Sequence, residues 1–246
     1  MAVDLKERAR WADQALRALT DPERQRVTSG YFPTTMEILG VSAPKMRTVL
    51  RQLLEDLKGK PPEQVMELAR LVRGTGTHEG RQVAFELFEK RKDARTLLRA
   101  KEIRELGEGN DNWASVDAFS CYISGPAWRE GQITDKRVLS WTRSKDLWWR
   151  RTALVSTVPL NMKSRGGTGD PDRTLMICRE LVRDRETMVA KGLSWALRAL
   201  IPVDRGRVQA FLEEHQTNLP SLVKREVRTK LETGRKNPKR SPTGLG

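Results

Sequence analysis

The sequence predicts an all-α chain, a HEAT-like helical repeat solenoid built as a curved superhelix of antiparallel helix pairs. Three observations predict it. Apolar residues recur at helical spacing and no alternating strand pattern stands out. Helix starts are marked by proline and capping residues, as in Thr20-Asp21-Pro22-Glu23, Ser42-Ala43-Pro44, Lys60-Pro61-Pro62-Glu63 and Gly169-Asp170-Pro171-Asp172. Several helical segments resemble one another, beginning at residues 80, 112, 149, 190 and 223, with separations of 32, 37, 41 and 33 residues. Periods of that size suit stacked helix pairs.

Taken in order, the periodicity predicts helices over roughly 4–19, 43–57, 62–73, 79–90, 112–123, 133–143, 147–158, 171–183, 186–200, 205–215 and 220–233. The repeated segments, such as GRQVAFELFEK, WRRTALVSTVPL and AKGLSWALRALI, open with polar or charged residues and continue into an apolar stripe. Stacked side by side, their leading arginines and lysines would line one concave surface with positive charge. The glycine-rich RGGTGD stretch, 165–170, has no strand on either flank and reads as a loop. One repeat domain is expected over 1–234. Residues 235–246 lack apolar periodicity and read as a disordered basic tail.

Composition narrows the function. The 246 residues carry a net charge of +14, and the stretch 222–240 alone has eight Lys or Arg against two Glu. Such an excess favours nucleic acid or an anionic membrane surface as partner. No run reaches the roughly 18 apolar residues of a membrane span, and the N-terminus lacks the apolar region of a secretory signal. A cytoplasmic monomer is expected, associated with the nucleoid if the source is bacterial. Cys121 and Cys178 are expected as buried thiols. Two histidines, with no paired ligand spacing and no phosphate-binding loop, predict neither metal nor cofactor.

Chemistry concentrates in three segments. In DNWASVDAF, 111–119, Trp113 and Asp117 stand four apart and so share one helix face. Asp117 lies where an apolar stripe should begin, and a carboxylate there needs a cation or a task. In LWWRRTALVS, Arg150 and Arg151 follow two tryptophans, and arginine's planar fork suits phosphate. In KGLSWALRAL, Trp195 has Lys191 one turn before and Arg198 one turn after. Lys224 and Arg228 repeat the basic i, i+4 spacing on the last helix. Solvated helix faces and ordinary core aromatics account for the same residues one at a time.

Together these segments resemble the AlkD-type family of DNA alkylation repair proteins, the HEAT-like repeat alkylpurine DNA glycosylases. The resemblance runs over most of 25–233 and is carried by YFPTTMEILGVSAPKMR, HEGRQVAFELFEK, DNWASVDAF, SKDLWWRRTALVS and MVAKGLSWALR in that order. It implies that Asp117 is the catalytic carboxylate, that Trp113 and Trp195 lie against the sugar, and that Arg151 holds a phosphate beside the lesion. It also matches Tyr31, nine residues before Gly40, to a family tyrosine of the DNA interface. Ala114 departs from the acidic residue that better-known members carry after the tryptophan. A related branch without the aspartate is catalytically silent, and this chain retains it.

The expected activity is hydrolysis of the N-glycosidic bond of cationic N3- or N7-alkylpurines in double-stranded DNA. The charged base is already a good leaving group, so no strong general acid is required. The remaining barrier is an oxocarbenium-like sugar, which Asp117 would stabilise while orienting water. Arg150, Lys191, Arg198, Lys224 and Arg228 would contact the DNA backbone. The alternatives are a non-catalytic DNA-structure binder on the same scaffold and a protein–protein scaffold.

Overall fold

A computed structural model describes residues 4–236, which divide into two compact units, one up to Arg137 and one from Val138. The first unit holds α1 (Leu5–Ala18), α2 (Pro22–Tyr31), α3 (Ala43–Asp56), α4 (Pro62–Arg73), α5 (His78–Lys90), α6 (Lys92–Thr96), α7 (Ala100–Gly107) and α8 (Trp113–Phe119). A π-helical turn (Ser120–Ser124) leads from α8 into α9 (Gly125–Arg129), and the unit boundary falls within α10 (Asp135–Thr142). The second unit holds α11 (Leu147–Val155), α12 (Val158–Asn161), a 3₁₀ turn (Lys163–Arg165), α13 (Pro171–Glu180), α14 (Thr187–Leu200), α15 (Arg205–Glu214) and α16 (Ser221–Thr233). The fold is all-α. Among the described residues the only β pairing is an isolated parallel bridge between Glu37 and Thr77. No described helix is long and apolar enough to cross a membrane.

Each unit is organised around one deeply buried helix. In the first, α5 buries Val83, Ala84, Phe85, Leu87 and Phe88 and packs against α4, α3 and α8. In the second, α14 buries Val189, Leu193, Ala196, Leu197 and Leu200 and packs against α11, α13 and α16. Full burial of each valine, leucine or phenylalanine among them is worth roughly 1.5–3 kcal/mol, so these two helices hold their neighbours in place. The capping residues act as their positions suggest. Asp21, Asp170 and Asp204 each accept a backbone N–H three residues on.

Four helices, α2, α6, α7 and α9, lie outside the ranges that periodicity predicts. α2 buries no residue at all, so it has no apolar stripe to read, although its Asp21-Pro22 start is plain in the sequence. α6 and α7 are five and eight residues long, too short for a repeat to register. The single helix expected over 112–123 is instead α8 followed by a π-turn, and the chain continues into α9, a five-residue helix beyond the expected range. The Gly125 N–H reaches the Ser120 carbonyl five residues back, which accommodates one extra residue and a bend before Pro126. The helix expected over 147–158 ends at Val155, and α12 begins anew at Val158 with Pro159 in its first turn.

A uniformly basic face from the leading residues of the repeats is also corrected. Arg81 is 8 % exposed and Arg151 5 % exposed, while Lys191 is exposed. Arg81 is drawn inward because it donates to the Glu108 carbonyl and to Asn110 Oδ1, both at 2.8 Å. Burial lowers its pKa to about 10.

Cys121 and Cys178 are free and buried, and burial pushes the Cys178 thiol up. In the RGGTGD loop Gly167 is required by packing: a Cβ there would lie 2.4 Å from the Pro159 carbonyl oxygen. The expected basic tail lies, from residue 237 onward, outside the described residues.

Candidate functional site

In the first unit the site is built on the turn 38–41 and the start of α8. Glu79, 2 % exposed, accepts the backbone N–H groups of Leu39, Gly40 and Val41 at 3.0, 2.8 and 3.2 Å. A buried carboxylate with three donors is well satisfied, and it ties this turn to α5. The turn in turn holds α2. Gly40 has φ +75° and meets Gln25 so closely that a Cβ would lie 2.4 Å from its backbone nitrogen. Gln25 donates to the Ile38 carbonyl at 2.7 Å.

Tyr31 ends α2 and is 71 % exposed. Its ring meets Trp113 edge-on, with centroids 5.5 Å apart and planes at 87°. Buried Phe32 meets the same indole at 5.7 Å and 81° and lies 5.3 Å from the His78 ring. These T-shaped contacts place positive ring edges against negative faces, the preferred aromatic geometry.

Asn112 caps α8 by accepting the Ser115 N–H at 2.9 Å. Trp113 is therefore the first residue of α8 and Asp117 stands one turn later on the same face, both half-buried. The π-turn begins three residues after Asp117. Such turns are frequent at functional sites.

Asp111, just ahead of the cap, accepts from Thr34 Oγ1 and the Thr35 N–H, both at 2.5 Å, from Thr35 Oγ1 at 2.7 Å and from Asn112 Nδ2 at 3.2 Å. Burial alone would push its carboxyl up, but these donors together hold it below the usual carboxylate value.

In the second unit Arg151 lies on α11 and donates to the Met188 carbonyl in the first turn of α14. Gly192 lies beneath this contact: a Cβ there would sit 3.4 Å from Arg151 Cγ and 3.6 Å from Leu154, ordinary van der Waals distances that leave no room for a longer side chain. Arg150 points elsewhere, pairing with Asp184 at 2.7 Å and donating to the Ser144 and Lys145 carbonyls.

Trp195 and Arg198 line an open cleft of about 530 Å³, with Met162, Ala199 and Pro202 on its apolar wall and Lys163, Lys230 and Lys236 among its cations. Lys191 is exposed one turn before Trp195 on the same stripe of α14. Glu226 braces the cleft. It accepts from Ser194 Oγ at 2.6 Å and pairs with Arg198 at 3.6 Å and Lys236 at 3.4 Å. Burial by itself would raise the Glu226 carboxyl, and these partners hold it lowered.

Thus Tyr31 meets Trp113, which shares a face of α8 with Asp117 in the first unit, and Trp195 shares a cleft with Arg198 in the second. Lys224 donates to the Gln216 carbonyl at 3.0 Å, and Arg228 lines a separate groove with Arg205, Gln209 and Glu213. Sequence reasoning missed Thr34, Thr35, Asp111, Lys163, Lys230, Lys236 and Glu226. The first three pair across more than seventy residues, a separation at which no local pattern is available. Lys230 and Lys236 carried a signal only as part of the charge run over 222–240.

The family described as DNA alkylation repair enzyme matches residues 12–231 of the chain. Among solved structures, one described as a predicted DNA alkylation repair enzyme from Enterococcus faecalis aligns with a TM-score of 0.70 at 19 % identity. The alignment covers 87 % of this chain and 97 % of that one. No curated protein matches.

Proposed function

Given that the chain belongs to the DNA alkylation repair enzyme family, we propose that it is a monofunctional DNA glycosylase that removes cationic N3- or N7-alkylpurines from duplex DNA. The observation that carries this reading is the pairing of Asp117 with Trp113 on one face of α8, beside the exposed ring of Tyr31. A binding surface alone has no need of a carboxylate beside its aromatics, since that charge repels phosphate.

In the proposed reaction the glycosidic bond breaks with its electron pair going to the alkylated base. The base leaves neutral because alkylation has already made it cationic. Positive charge develops on the deoxyribose, where the Asp117 carboxylate stabilises it and accepts a hydrogen bond from the incoming water. The Trp113 face offers a further region of negative potential to the same charge. In the second unit, Trp195 offers an indole face to DNA lying in the basic cleft, and Arg151, held by the Met188 carbonyl, adds positive charge on α11. Arg198, Lys163 and Lys230 suit neighbouring phosphates in the cleft.

The test is free-base release from a duplex containing 7-methylguanine, with purified protein and EDTA present. The expected result is release of 7-methylguanine, leaving an intact backbone at an abasic site. The basic cleft around Trp195 also suits a protein that binds DNA without cleaving it. Saturable duplex binding with no base release from any N3- or N7-alkylpurine would establish that second reading.

A further inference from the structure

We propose that Asp111 is a positioning residue, a latch that holds the segment carrying Tyr31 and Phe32 against Trp113 and so sets the attitude of the indole. The catalytic consequence rests on the glycosylase reading above, whereas the latch itself does not.

The argument begins with how little else holds the end of α2. No residue of that helix is buried, and Tyr31 is mostly exposed. The first half of α2 is secured by the turn 38–41, through the Gln25 bond to Ile38 and the Asp21 N–H bond to Leu39. Beyond Tyr31 the far end of the segment is held at Glu37, by Arg17 and by the His78 N–H, whereas residues 32–35 are held by Phe32, inserted between Trp113 and His78, and by Asp111.

Three of the four donors to Asp111 come from Thr34 and Thr35, and the fourth from Asn112, the cap of α8. Asn112 Nδ2 also donates to Thr34 Oγ1 at 3.3 Å, which closes a ring of hydrogen bonds between segment and cap. One carboxylate therefore links the segment that ends Tyr31's helix to the residue that starts Trp113's. Arg81 and His78, on α5, are the charged and titratable groups whose fields reach Asp111.

Hydrogen bonds to a carboxylate are about twice as strong as neutral ones and tightly directional. The Phe32 contact can bury area with the segment in several attitudes; the Asp111 bonds permit few. Because the Tyr31 and Phe32 rings both meet Trp113 in T-shaped contacts, the attitude of the segment bears on which way the indole face points. An interaction of a ring face with a developing sugar cation depends on that direction.

Asp111→Asn keeps the size of the side chain but replaces one acceptor oxygen with a donor, so the Thr35 N–H or the Asn112 amide loses its partner. Single-turnover excision of 7-methylguanine should fall by roughly 10- to 100-fold, the scale of a small misplacement in an active site, with duplex affinity unchanged. In a Tyr31→Ala background the same substitution should cost less than it does alone, since only the Phe32 ring is then left for the latch to place.

Protein labelled with 5-fluorotryptophan supplies an activity-independent readout. The Trp113 resonance, assigned by its absence in Trp113→Phe, should shift or broaden in Asp111→Asn. Thr34→Val removes one donor and leaves the carboxylate. It should move the resonance the same way by less, which serves if Asp111→Asn does not fold.

A Trp113 resonance unmoved by either variant overturns the latch. So does a loss of rate that adds in full to that of Tyr31→Ala. Wild-type protein that releases no base defeats the glycosylase reading alone, because the resonance still reports on the latch.

Discussion

Asp117 is the residue on which the enzymatic reading turns. Asp117→Asn keeps size and helix compatibility while removing the negative charge. If the carboxylate opposes a sugar cation, excision should fall on the order of 10²–10³-fold, as when one preorganised electrostatic group is lost. Duplex affinity should hold or rise slightly, because a charge that repels phosphate is gone. A wild-type excision rate with a lowered melting temperature would assign Asp117 to the fold instead.

His78 makes a second prediction at this scale. Burial lowers its pKa, and Arg81 lowers it further against the opposing pull of Glu79 and Asp111. Its Nδ1 is buried without a hydrogen-bond partner, which agrees with a neutral ring. The unfolded chain protonates His78 as pH falls through about 6.5, while the folded chain does so only at lower pH. Unfolding therefore takes up a proton in that window, and stability should decline as pH drops from the ordinary histidine value toward the depressed one. Melting curves across that range should show the decline in wild type and a smaller one in His78→Gln. An equal decline in both would place its origin elsewhere.

At the scale of elements, α11 and α14 meet closely at Gly192. An added methyl there meets Arg151 and Leu154 at ordinary van der Waals distances. Gly192→Ala should accordingly be neutral or stabilising by up to about 1 kcal/mol, since alanine is the better helix former. Gly192→Leu has no room for its branches and should cost roughly 1–3 kcal/mol through overpacking. It should also displace Arg151, the residue directly over the glycine. Urea unfolding of both variants checks the sign of each change, and opposite signs are the expected outcome. The same element explains the different fates of the two adjacent arginines. Arg151 lies on the face of α11 that meets α14, while Arg150, one residue earlier, faces Asp184 and two loop carbonyls.

For the whole molecule the dominant property is the net charge of +14. Binding to duplex should weaken steeply with salt, each neutralised phosphate contributing about −0.9 to the slope of log K against log salt. The placement of side chains says which cations matter. Lys163 and Lys230 line the cleft with Trp195, Lys230 also donating to the Gly234 carbonyl, whereas Arg228 lines a different groove and Lys224, bonded to the Gln216 carbonyl, lines neither. Removing Lys163 and Lys230 together should flatten the slope by roughly one to two units. Removing Lys224 and Arg228 should change it less. The reverse order would move the DNA footprint to the other side of α16.

Sequence by itself determined the helical class, the positions of the long helices and the pairing of Trp113 with Asp117. All of these depend on interactions within about one helical turn. A carboxylate four residues after a tryptophan lies on its face in any α-helix, and Pro22, Pro62 and Pro171 start helices wherever the chain goes next. The charge excess was likewise legible, because it is a sum over residues and needs no geometry.

Only the tertiary structure decided which cations face outward. Arg81 and Arg198 look alike in sequence as helix-borne arginines, yet one is drawn to the Glu108 carbonyl and the other braced by Glu226 beside Trp195. The structure also brought Thr34 and Thr35 to Asp111 and the Tyr31 ring to Trp113. The physical reason is common to these cases. A polar side chain goes where its hydrogen bonds are best satisfied, and here the partners come from chain segments tens of residues away, set beside it only once the helices have packed.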